Sequence, residues 1–190
     1  MFRLLFSPDR QQRFQVELPF FDGVYLADIQ HYIDWRVLFY GAYDKADVTI
    51  MRRILARLDR PLVLDVGANI GHHTLAVAKL AGAVHAFEPF SSVWPVFEQK
   101  VARFGATNVT LHNIGLGASN ARRPFMAPAT NNTGTGKFAD DGGQMLEVRR
   151  GDDFLREQSI GRVDLIKIDV EGHEPDVLRG LADTLGSSRP

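Results

Sequence analysis

The sequence predicts an α/β fold in which a parallel sheet carries helices on both of its faces. From Pro61 onward, short apolar runs alternate with segments of helical periodicity, which is typical of right-handed βαβ units. A glycine-rich turn directly follows the first apolar run, and a glutamate ends the second. With 190 residues, 45% apolar and 24% charged, the composition is that of an ordinary globular protein with room for one sizeable core.

The segment before Pro61 has a different pattern. Residues 1–60 are predicted to form an N-terminal extension, packed on a core domain of residues 61–190. Residues 14–18 alternate apolar and polar side chains, and a second apolar run follows Gly23, so a β-hairpin is expected. The aromatic stretch at residues 32–40 is either a packing layer over the core, which aromatic runs usually are, or one wall of a substrate pocket.

The extension is predicted to end in a helix over residues 44–59. Its apolar residues recur at i, i+3, i+4 and i+7, a spacing that places them on one face of a helix. The residues expected on this buried face are Met51, Ile54, Leu55 and Leu58.

The core domain is predicted from its apolar runs and helical periods. The predicted strands cover residues 61–66, 83–87, 108–113, 146–149 and 163–170, and the predicted helices cover residues 74–81 and 175–185. A further helix is expected to have Ser92 as its N-cap and Pro95 in its first turn, where a missing N–H costs little. Its apolar face would carry Phe97, Val101 and Phe104.

The most informative stretch is the turn after the first core strand, which reads Asp65-Val66-Gly67-Ala68-Asn69-Ile70-Gly71. Glycine suits so tight a turn because positive φ is free there and because the backbone can approach a ligand without a Cβ in the way. The helix N-terminus beyond the turn presents unpaired N–H groups to a carboxylate or a phosphate. A purely structural βα turn explains the same glycines equally well.

An acid at the end of the second strand favours a nucleoside site. Glu88 follows Gly67 by about 20 residues, and an acid at this spacing holds the two hydroxyl groups of a ribose. Hydrogen bonds to a charged group contribute about 1.5–3 kcal/mol each, so this position can select a nucleoside. The alternative is that Glu88 is only a surface acid.

The turn favours S-adenosylmethionine over a dinucleotide. Asn69 occupies the middle glycine position of the dinucleotide fingerprint G-x-G-x-x-G, where a side chain would crowd a pyrophosphate. It would be tolerated beside an amino-acid moiety, whose carboxylate can lie at the helix N-terminus. Asp65 likewise fits a cationic α-amino group better than a phosphate.

Three motifs together resemble those of FkbM-type methyltransferases. They are Leu64-Asp65-Val66-Gly67-Ala68-Asn69-Ile70-Gly71, then Phe87-Glu88-Pro89, and then Ile166-Lys167-Ile168-Asp169-Val170-Glu171-Gly172-His173-Glu174. The third motif is the most specific, because general class I methyltransferases lack it. The resemblance covers about residues 61–180. It implies a Rossmann-like class I fold and transfer of the cofactor's methyl group, usually to a hydroxyl oxygen of a sugar or a natural product.

The resemblance also implies residue roles. The methionine part of the cofactor would be lined by Gly67, Ala68, Asn69 and Gly71. Glu88 would hold the ribose, Asn113 would approach the adenine and Asp169 would lie beside the transferred methyl group. A complete fold of this class has about seven strands, so the domain is expected to be truncated at its C-terminus. The strand that ends in Asp169 would then lie at an exposed edge, which a homo-oligomer could cover.

Methyl transfer needs an acceptor oxygen held close and in line, and it gains from a general base that removes the hydroxyl proton. The candidates for this base, in order of preference, are Asp169, Glu171 and His173. The two acids alternatively orient the cofactor and the loop without handling protons. The cluster could also bind a divalent cation, but no partner ligand is evident, so no metal site is predicted.

A pair of histidines and a polar loop are also considered as possible parts of the site. His72 and His73 stand at a helix start, where they are expected to pack or cap. The loop at residues 131–136 either closes over the acceptor or is an ordinary surface loop.

Composition argues against several partners. A formal charge of −1 without a long basic run makes nucleic acid an unexpected partner, and the absence of cysteine excludes disulfides. No apolar stretch approaches the length of a membrane span, and a cytoplasmic protein is expected.

Two rival functions stay open, a nicotinamide-dependent oxidoreductase and a non-catalytic binding or assembly module.

Overall fold

The N-terminal extension begins with an antiparallel hairpin in the computed structural model, which describes residues 14–128, 133–188 and 190. The elements of the extension are β1 (Gln15–Phe20), β2 (Gly23–Asp28), α1 (Tyr32–Tyr40) and α2 (Lys45–Leu55). The predicted hairpin is therefore confirmed, and the aromatic stretch is a helix.

The core domain follows with a central parallel sheet. Its elements are β3 (Leu62–Val66), α3 (His72–Ala78), β4 (Ala83–Phe87), α4 (Trp94–Phe104), β5 (Val109–His112), β6 (Gly115–Gly117), β7 (Ala121–Met126), β8 (Lys137–Phe138), β9 (Gln144–Arg150), α5 (Gly151–Glu157), β10 (Leu165–Ile168), α6 (Glu174–Gly180) and α7 (Ala182–Ser188). The central strands lie in the order β10-β3-β4-β5 and are all parallel. Their carboxyl ends therefore meet at one edge of the sheet.

Helices cover both faces of this sheet, as predicted. Val63 and Leu64 are neighbours on β3 and point to opposite faces, so they belong to two separate core clusters. On one face, Val63 shares its cluster with residues of α2, α3 and α4; on the other, Leu64 shares its cluster with residues of α5 and α6. The predicted α/β fold with a parallel sheet is confirmed. None of the described helices has the length and apolar character that crossing a membrane requires.

A second, four-stranded sheet lies between β5 and β10 in the chain, and of its strands the sequence predicted only β9. It has the order β6-β9-β7-β8, with β6 parallel to β9 and the other pairs antiparallel. The reason β6 escaped prediction is its composition, Gly115-Leu116-Gly117. Gly117 serves close packing, because a Cβ there would lie 2.7 Å from Cγ1 of Val148.

The predicted buried face of α2 is only half right. Met51 and Leu55 are buried, but Ile54 is 45% exposed and Leu58 is 41% exposed. The helix ends at Leu55, before Leu58 is reached. Val48 completes the buried stripe instead, because the spacing i, i+3 and i+7 from Val48 selects Met51 and Leu55, whereas Ile54 lies about 100° around the helix from Leu55.

Two other helix predictions need correction. The N-cap of α4 is Val93, without a side-chain hydrogen bond, because a short 3₁₀ turn of residues Ser91–Val93 precedes the helix and leaves Ser92 exposed. Pro95 does lie in the first turn. The single helix predicted over residues 175–185 is two helices, α6 and α7, which are separated at Leu181.

A buried ion pair fastens the extension to the core domain. Lys100 on α4 places its Nζ 2.8 Å from Oδ1 of Asp34 on α1, and the two side chains are 2% and 0% exposed. The hydroxyl of Tyr25 donates to the same oxygen at 2.6 Å, and the backbone N–H of Asp28 donates to Oδ2 at 2.9 Å. Lys100 also donates to the backbone oxygen of Leu26 and lies over the ring of Tyr25. The division into two domains stays a prediction, but this contact joins the two segments closely.

Candidate active site

A pocket opens at the edge where β3, β4 and β10 end. Its apolar wall includes Ile33, Tyr43, Phe90, Val93, Leu116, Phe125 and Phe138. Its polar wall includes Asn69, His73, Glu88, Thr133, Lys137, Lys167, Asp169, Glu171 and His173. Ligands of open α/β sheets bind at this edge, so the position alone marks the pocket as the candidate site.

The glycines of the turn between β3 and α3 are required by packing within the protein. Gly67 and Gly71 have φ values of 78° and 84°. A Cβ at Gly67 would collide with the backbone oxygen of Asp169, and a Cβ at Gly71 would lie 2.9 Å from Cδ2 of Phe97. The close approach at Gly67 is therefore to the end of β10, which brings Asp169 next to the turn. Gly67 and Ala68 line the pocket, as does Asn69.

Asn69 links the acid at the end of β4 to a segment that lies over the pocket. Its backbone has a φ of 51°, its N–H donates to Oε2 of Glu88 at 2.9 Å, and its Oδ1 accepts from Oγ1 of Thr133 at 2.7 Å. Thr133 and Gly136 both line the pocket. The described part of the loop predicted over residues 131–136 therefore covers the pocket, whereas residues 131 and 132 lie outside the described residues.

Glu88 is a buried acid of the pocket wall and not a surface acid. Its Oε1 accepts from the backbone N–H of Phe90 at 2.8 Å, and its Oε2 accepts from Asn69. Burial raises the pKa of Glu88 to about 7, although the two backbone donors act in the opposite direction. Since each carboxylate oxygen has two acceptor positions, each keeps one position for a further donor.

Asp65 already has a cationic partner, which the sequence did not reveal. Its Oδ2 accepts from Oγ1 of Thr74 at 2.6 Å, and its Oδ1 lies 3.1 Å from Nζ of Lys167. The second contact is an ion pair without hydrogen-bond alignment. Burial raises the pKa of Asp65, but Lys167 and Thr74 outweigh it, so that the pKa is lowered overall. Lys167 also donates to the backbone oxygen of Gly67 at 2.9 Å and lines the pocket, which Asp65 does not.

The three residues proposed as catalytic all line the pocket, in different environments. Asp169 is 51% exposed, with Oδ2 3.8 Å from Nζ of Lys167. Partial burial and the neighbouring Asp169 raise the pKa of Glu171. His173 is buried, with Nδ1 3.3 Å from Oδ2 of Asp176 and with Nε2 lacking a hydrogen-bond partner; burial lowers its pKa. Asp169 and Glu171 are thus exposed, whereas His173 is buried.

The third motif also has a structural explanation. Oε1 of Glu174 accepts from the backbone N–H groups of Val170 and Gly172 at 3.1 and 3.2 Å, which closes the turn after β10. Gly172 has a φ of 95°, a conformation that glycine adopts without strain. Together with the pairing of Lys167 to Asp65, these contacts fix Asp169 at the pocket.

Three predicted cofactor-binding residues lie outside the pocket lining, and besides Asp65 and Gly71 the third is Asn113. It is exposed just after β5 and does not line the pocket, whereas Gly115 and Leu116 of β6 do. The chain turns into the second sheet directly after Asn113, and this sheet is the feature that the sequence did not predict. Gly71 is buried behind the turn and also lies outside the pocket lining.

The two adjacent histidines have different surroundings. His72 is buried, and its Nε2 lies 3.0 Å from the backbone oxygen of Tyr43. Burial lowers the pKa of His72 to about 3, so the ring is a neutral packing group, as expected. His73 is also buried, and both histidines line the pocket. In the described ranges, no group of three or more histidine, aspartate or glutamate side chains is placed to hold a metal ion.

Sequence reasoning missed several pocket residues. Ile33 and Tyr43 come from the extension, and Phe125 and Phe138 come from the second sheet. The aromatic stretch at residues 32–40 was a signal for Ile33, whereas Tyr43 lies after it. This stretch is both a packing layer and a part of the pocket wall, because Val37 is packed in the core while Ile33 lines the pocket.

A parallel sheet with a glycine turn after one strand and a buried acid after the next is the arrangement of α/β proteins that bind a nucleoside at the carboxyl ends of their strands. The chain belongs to the FkbM methyltransferase family, because residues 65–190 match the methyltransferase FkbM domain. This membership confirms the resemblance of the three motifs.

Three curated relatives are methyltransferases. Hexuronic acid methyltransferase AglP of Haloferax volcanii is 29% identical over 75% of this chain and 59% of its own length. Methyltransferase 1 of Beauveria bassiana is 31% identical over 66% of this chain and 60% of its own length. 2-O-methyltransferase NoeI of Sinorhizobium fredii is 25% identical over 76% of this chain and 68% of its own length. The chain thus spans about 60% of the length of the first two.

Solved structures are similar only in part. A SAM-dependent methyltransferase from Agrobacterium tumefaciens gives a TM-score of 0.43 at 11% identity, covering 57% of this chain and 34% of that one. SMU.1697c, a putative methyltransferase from Streptococcus mutans in complex with SAH, gives 0.33 at 23% identity, covering 36% and 40%. Because both TM-scores are below 0.5, the fold assignment rests on the strand order and the family.

Proposed function

We propose that this protein binds S-adenosylmethionine and transfers its methyl group to a hydroxyl oxygen of a sugar or of a similar hydroxylated small molecule. The observation that carries the proposal is the placement of Glu88. Its carboxylate is buried in the pocket wall beside the glycine turn, with one acceptor position left on each oxygen. A ribose diol supplies the two donors that such a carboxylate can take.

The residues present fit this cofactor better than a dinucleotide. Glu88 would hold the ribose, and Phe90, Val93 and Leu116 offer apolar surface to the adenine. The side chain of Asn69 fills the position where a pyrophosphate needs glycine, and it is held there by Thr133.

We revise the roles of Asp65 and Lys167 on the side of the methionine moiety. Lys167 lines the pocket and can donate to a carboxylate, since it is a cation with three donors. Asp65 holds Lys167 in place from behind and does not itself contact the ligand.

The bound cofactor supplies a methyl carbon activated by the neighbouring positive sulfur. The remaining work falls to the protein, which must hold the acceptor oxygen in line and take its proton. Asp169 is the residue best placed to accept this proton, because its carboxylate is exposed at the end of β10 and lines the pocket. Glu171 and His173 remain the second and third candidates.

The hydroxylated acceptor is supported by the relatives, of which one is a hexuronic acid methyltransferase and another a 2-O-methyltransferase. The pocket is compatible with such a ligand because both aromatic rings and polar groups line it. Tyr43 and Phe138 supply rings, and Asp169 and Glu171 supply acceptors for hydroxyl groups.

A methyl-transfer assay tests the proposal. The protein is incubated with methyl-labelled S-adenosylmethionine and a panel of methyl glycosides, and the release of S-adenosylhomocysteine is followed. We expect acceptor-dependent release, with kcat lowered by about 10²–10⁴-fold in Asp169→Asn, because a general base contributes a factor of this size. Glu98→Gln, at an exposed acid of α4, serves as the matched control. An unchanged kcat in Asp169→Asn would indicate that Glu171 or His173 is the general base. If no acceptor receives the labelled methyl group, the proposed activity is contradicted.

A further inference from the structure

Two polar groups of the pocket wall have no role in the transfer as proposed so far. They are the hydroxyl of Tyr43, in the loop before α2, and the imidazole of His73, in the first turn of α3. Both residues line the pocket, and their ring centroids lie 6.4 Å apart. Tyr43 belongs to the N-terminal extension and stands outside the matched family domain, which begins at residue 65.

Both groups are open to the pocket and are not used by the protein. His73 is only 8% exposed, so its side chain is more than nine-tenths buried. In the ranges that the structure describes, neither of its ring nitrogens has a hydrogen-bond partner, and neither is closed off from solvent as Nδ1 of His72 is. The same is true of the hydroxyl of Tyr43. Buried polar groups are normally hydrogen-bonded, so groups left unpaired at a pocket are placed to bind a ligand.

Both groups are uncharged at neutral pH. Burial lowers the pKa of His73 most and Lys167 lowers it further, although three nearby carboxylates, of which Asp169 is one, act in the opposite direction. Burial raises the pKa of Tyr43 most, and Asp44 and Asp169 raise it further. The neutral imidazole therefore offers one N–H donor and one acceptor, and the phenol offers an O–H donor. Asp169, the proposed proton acceptor, is a neighbour of both residues.

The charges on this side of the pocket favour an uncharged acceptor. Asp169 and Glu171 both line the pocket, and both raise the pKa of Tyr43. Partial burial and then Asp169 raise the pKa of Glu171, and Lys137 offsets this effect only in part. An anionic acceptor would bring a further negative charge beside these two carboxylates, which is unfavourable, whereas a neutral hydroxyl would not.

We propose that Tyr43 and His73 form the acceptor subsite and hold an uncharged sugar hydroxyl there, next to Asp169. This inference rests on the proposed function, because it assigns the acceptor of that same site. A hydroxyl oxygen that accepts a hydrogen bond from either residue can direct its own proton to Asp169. The acceptor oxygen then forms its bond to the methyl carbon, the carbon–sulfur bond breaks with its electron pair left on sulfur, and the proton goes to Asp169.

Steady-state kinetics with methyl β-D-glucoside and methyl β-D-glucuronide as acceptors test this subsite. The wild type is expected to have a kcat/KM about tenfold higher for the glucoside, because the carboxylate of the glucuronide meets the acids of the wall. Tyr43→Phe and His73→Phe should each raise the KM for the glucoside about tenfold, because each variant removes a hydrogen bond to the acceptor. His73→Gln keeps a donor and an acceptor and should show a smaller rise. The affinity for S-adenosylhomocysteine should be unchanged in all three variants.

Urea denaturation separates this role from a packing role. Because neither polar group has a hydrogen-bond partner in the described part of the chain, Tyr43→Phe and His73→Phe should keep the denaturation midpoint of the wild type. Tyr40→Phe, at a tyrosine outside the pocket lining, is the matched control and should have wild-type kinetics.

Three results would each overturn the subsite: an unchanged KM in both phenylalanine variants, a rise in KM with an equal loss of S-adenosylhomocysteine affinity, or a wild-type preference for the glucuronide. An unchanged KM in variants of an active protein leaves the proposed function intact. The absence of transfer to both glycosides by the wild type contradicts the proposed function, and the subsite with it.

Discussion

Two lysine–aspartate ion pairs in this molecule have similar chemistry and different surroundings. Lys100 and Asp34 are almost fully enclosed, and every acceptor around Nζ belongs to the protein. Lys167 and Asp65 also form a buried contact, but Lys167 is 13% exposed and lines the pocket, with the exposed carboxylate of Asp169 3.8 Å away. The first pair joins two segments of the chain, and the second faces a cavity.

The difference shows what burial does to an ion pair. A pair whose donors and acceptors are all used within the protein can only contribute to the folded structure, and losing one partner leaves an uncompensated charge. A pair that retains an exposed donor beside a pocket can also bind a ligand. The comparison therefore predicts that changes at Lys100 alter stability alone, whereas changes at Lys167 alter stability and ligand binding together.

The largest effect is expected from Lys100→Met. The variant leaves Asp34 buried without its cation, which costs about 3–5 kcal/mol of the free energy of unfolding. Urea denaturation measures this loss, and S-adenosylhomocysteine should bind the folded fraction with unchanged affinity. Arg53→Met, at an exposed site, is the control and should change stability by less than about 0.5 kcal/mol. A loss below about 1 kcal/mol in Lys100→Met would contradict the structural role of the enclosed pair.

Lys167→Met should have a smaller effect on stability, of about 1–3 kcal/mol, because it removes the cation beside Asp65 and the donor to the backbone oxygen of Gly67. Unlike Lys100→Met, it should also weaken the binding of S-adenosylhomocysteine about tenfold or more. Urea denaturation and calorimetry on the same preparation measure the two effects. Unchanged ligand affinity would show that the open pair is as purely structural as the enclosed one.

Acidification should weaken ligand binding through Glu88. The pKa of Glu88 is raised to about 7 by burial, so the carboxylate is ionised at pH 8 and mostly protonated at pH 6. Ribose hydroxyls donate to the ionised form, and the affinity for S-adenosylhomocysteine should therefore fall about tenfold from pH 8 to pH 6, since one pKa unit corresponds to a factor of ten. Calorimetry at both pH values measures the ratio. A Glu88→Ala variant should lose this pH dependence, and an equally steep fall in that variant would assign it to another group.

The same raised pKa has the opposite sign for stability. The folded pKa of Glu88 lies above the ordinary value of 4.5, so its contribution to stability is fully present below pH 4.5 and is lost as the pH rises through about 7. Ligand binding thus favours the form of Glu88 that folding disfavours, a conflict that is common at functional sites.

The smallest effect is expected from Thr133→Val, which removes the hydroxyl that donates to Asn69. A neutral hydrogen bond contributes about 0.5–1.5 kcal/mol, so the affinity for S-adenosylhomocysteine should fall about two- to tenfold. Thr110→Val, at an exposed threonine of β5, is the control. If Thr133→Val binds S-adenosylhomocysteine as tightly as the wild type does, the contact between Thr133 and Asn69 does not contribute to cofactor binding.

The elements that the sequence predicted well are those defined by neighbouring residues. The glycine turn and Glu88 depend on a strand, a turn and a helix that follow one another, and the parallel sheet follows from the alternation of such units. The partner of Asp65 could not be predicted in this way, because Lys167 contacts the turn from 100 residues further along the chain. Asp65 was therefore predicted to contact the cofactor directly, whereas the structure pairs it with Lys167.

The remaining differences have physical causes of the same kind. The second sheet begins with a glycine-rich strand, which has no apolar periodicity, and the placement of Asn113 depends on it. The exposed Ile54 shows that apolar spacing can fit two faces of a helix, of which packing chooses one.

The most direct test is a calorimetric titration of the protein with S-adenosylhomocysteine, with NAD as the comparison ligand and with Glu88→Ala alongside the wild type. The account predicts saturable binding of S-adenosylhomocysteine, no comparable binding of NAD, and an affinity loss of about 1.5–3 kcal/mol in Glu88→Ala, the value of a hydrogen bond to a charged group. Tighter binding of NAD, or undiminished binding of S-adenosylhomocysteine by Glu88→Ala, would contradict the claim that Glu88 holds the ribose of this cofactor.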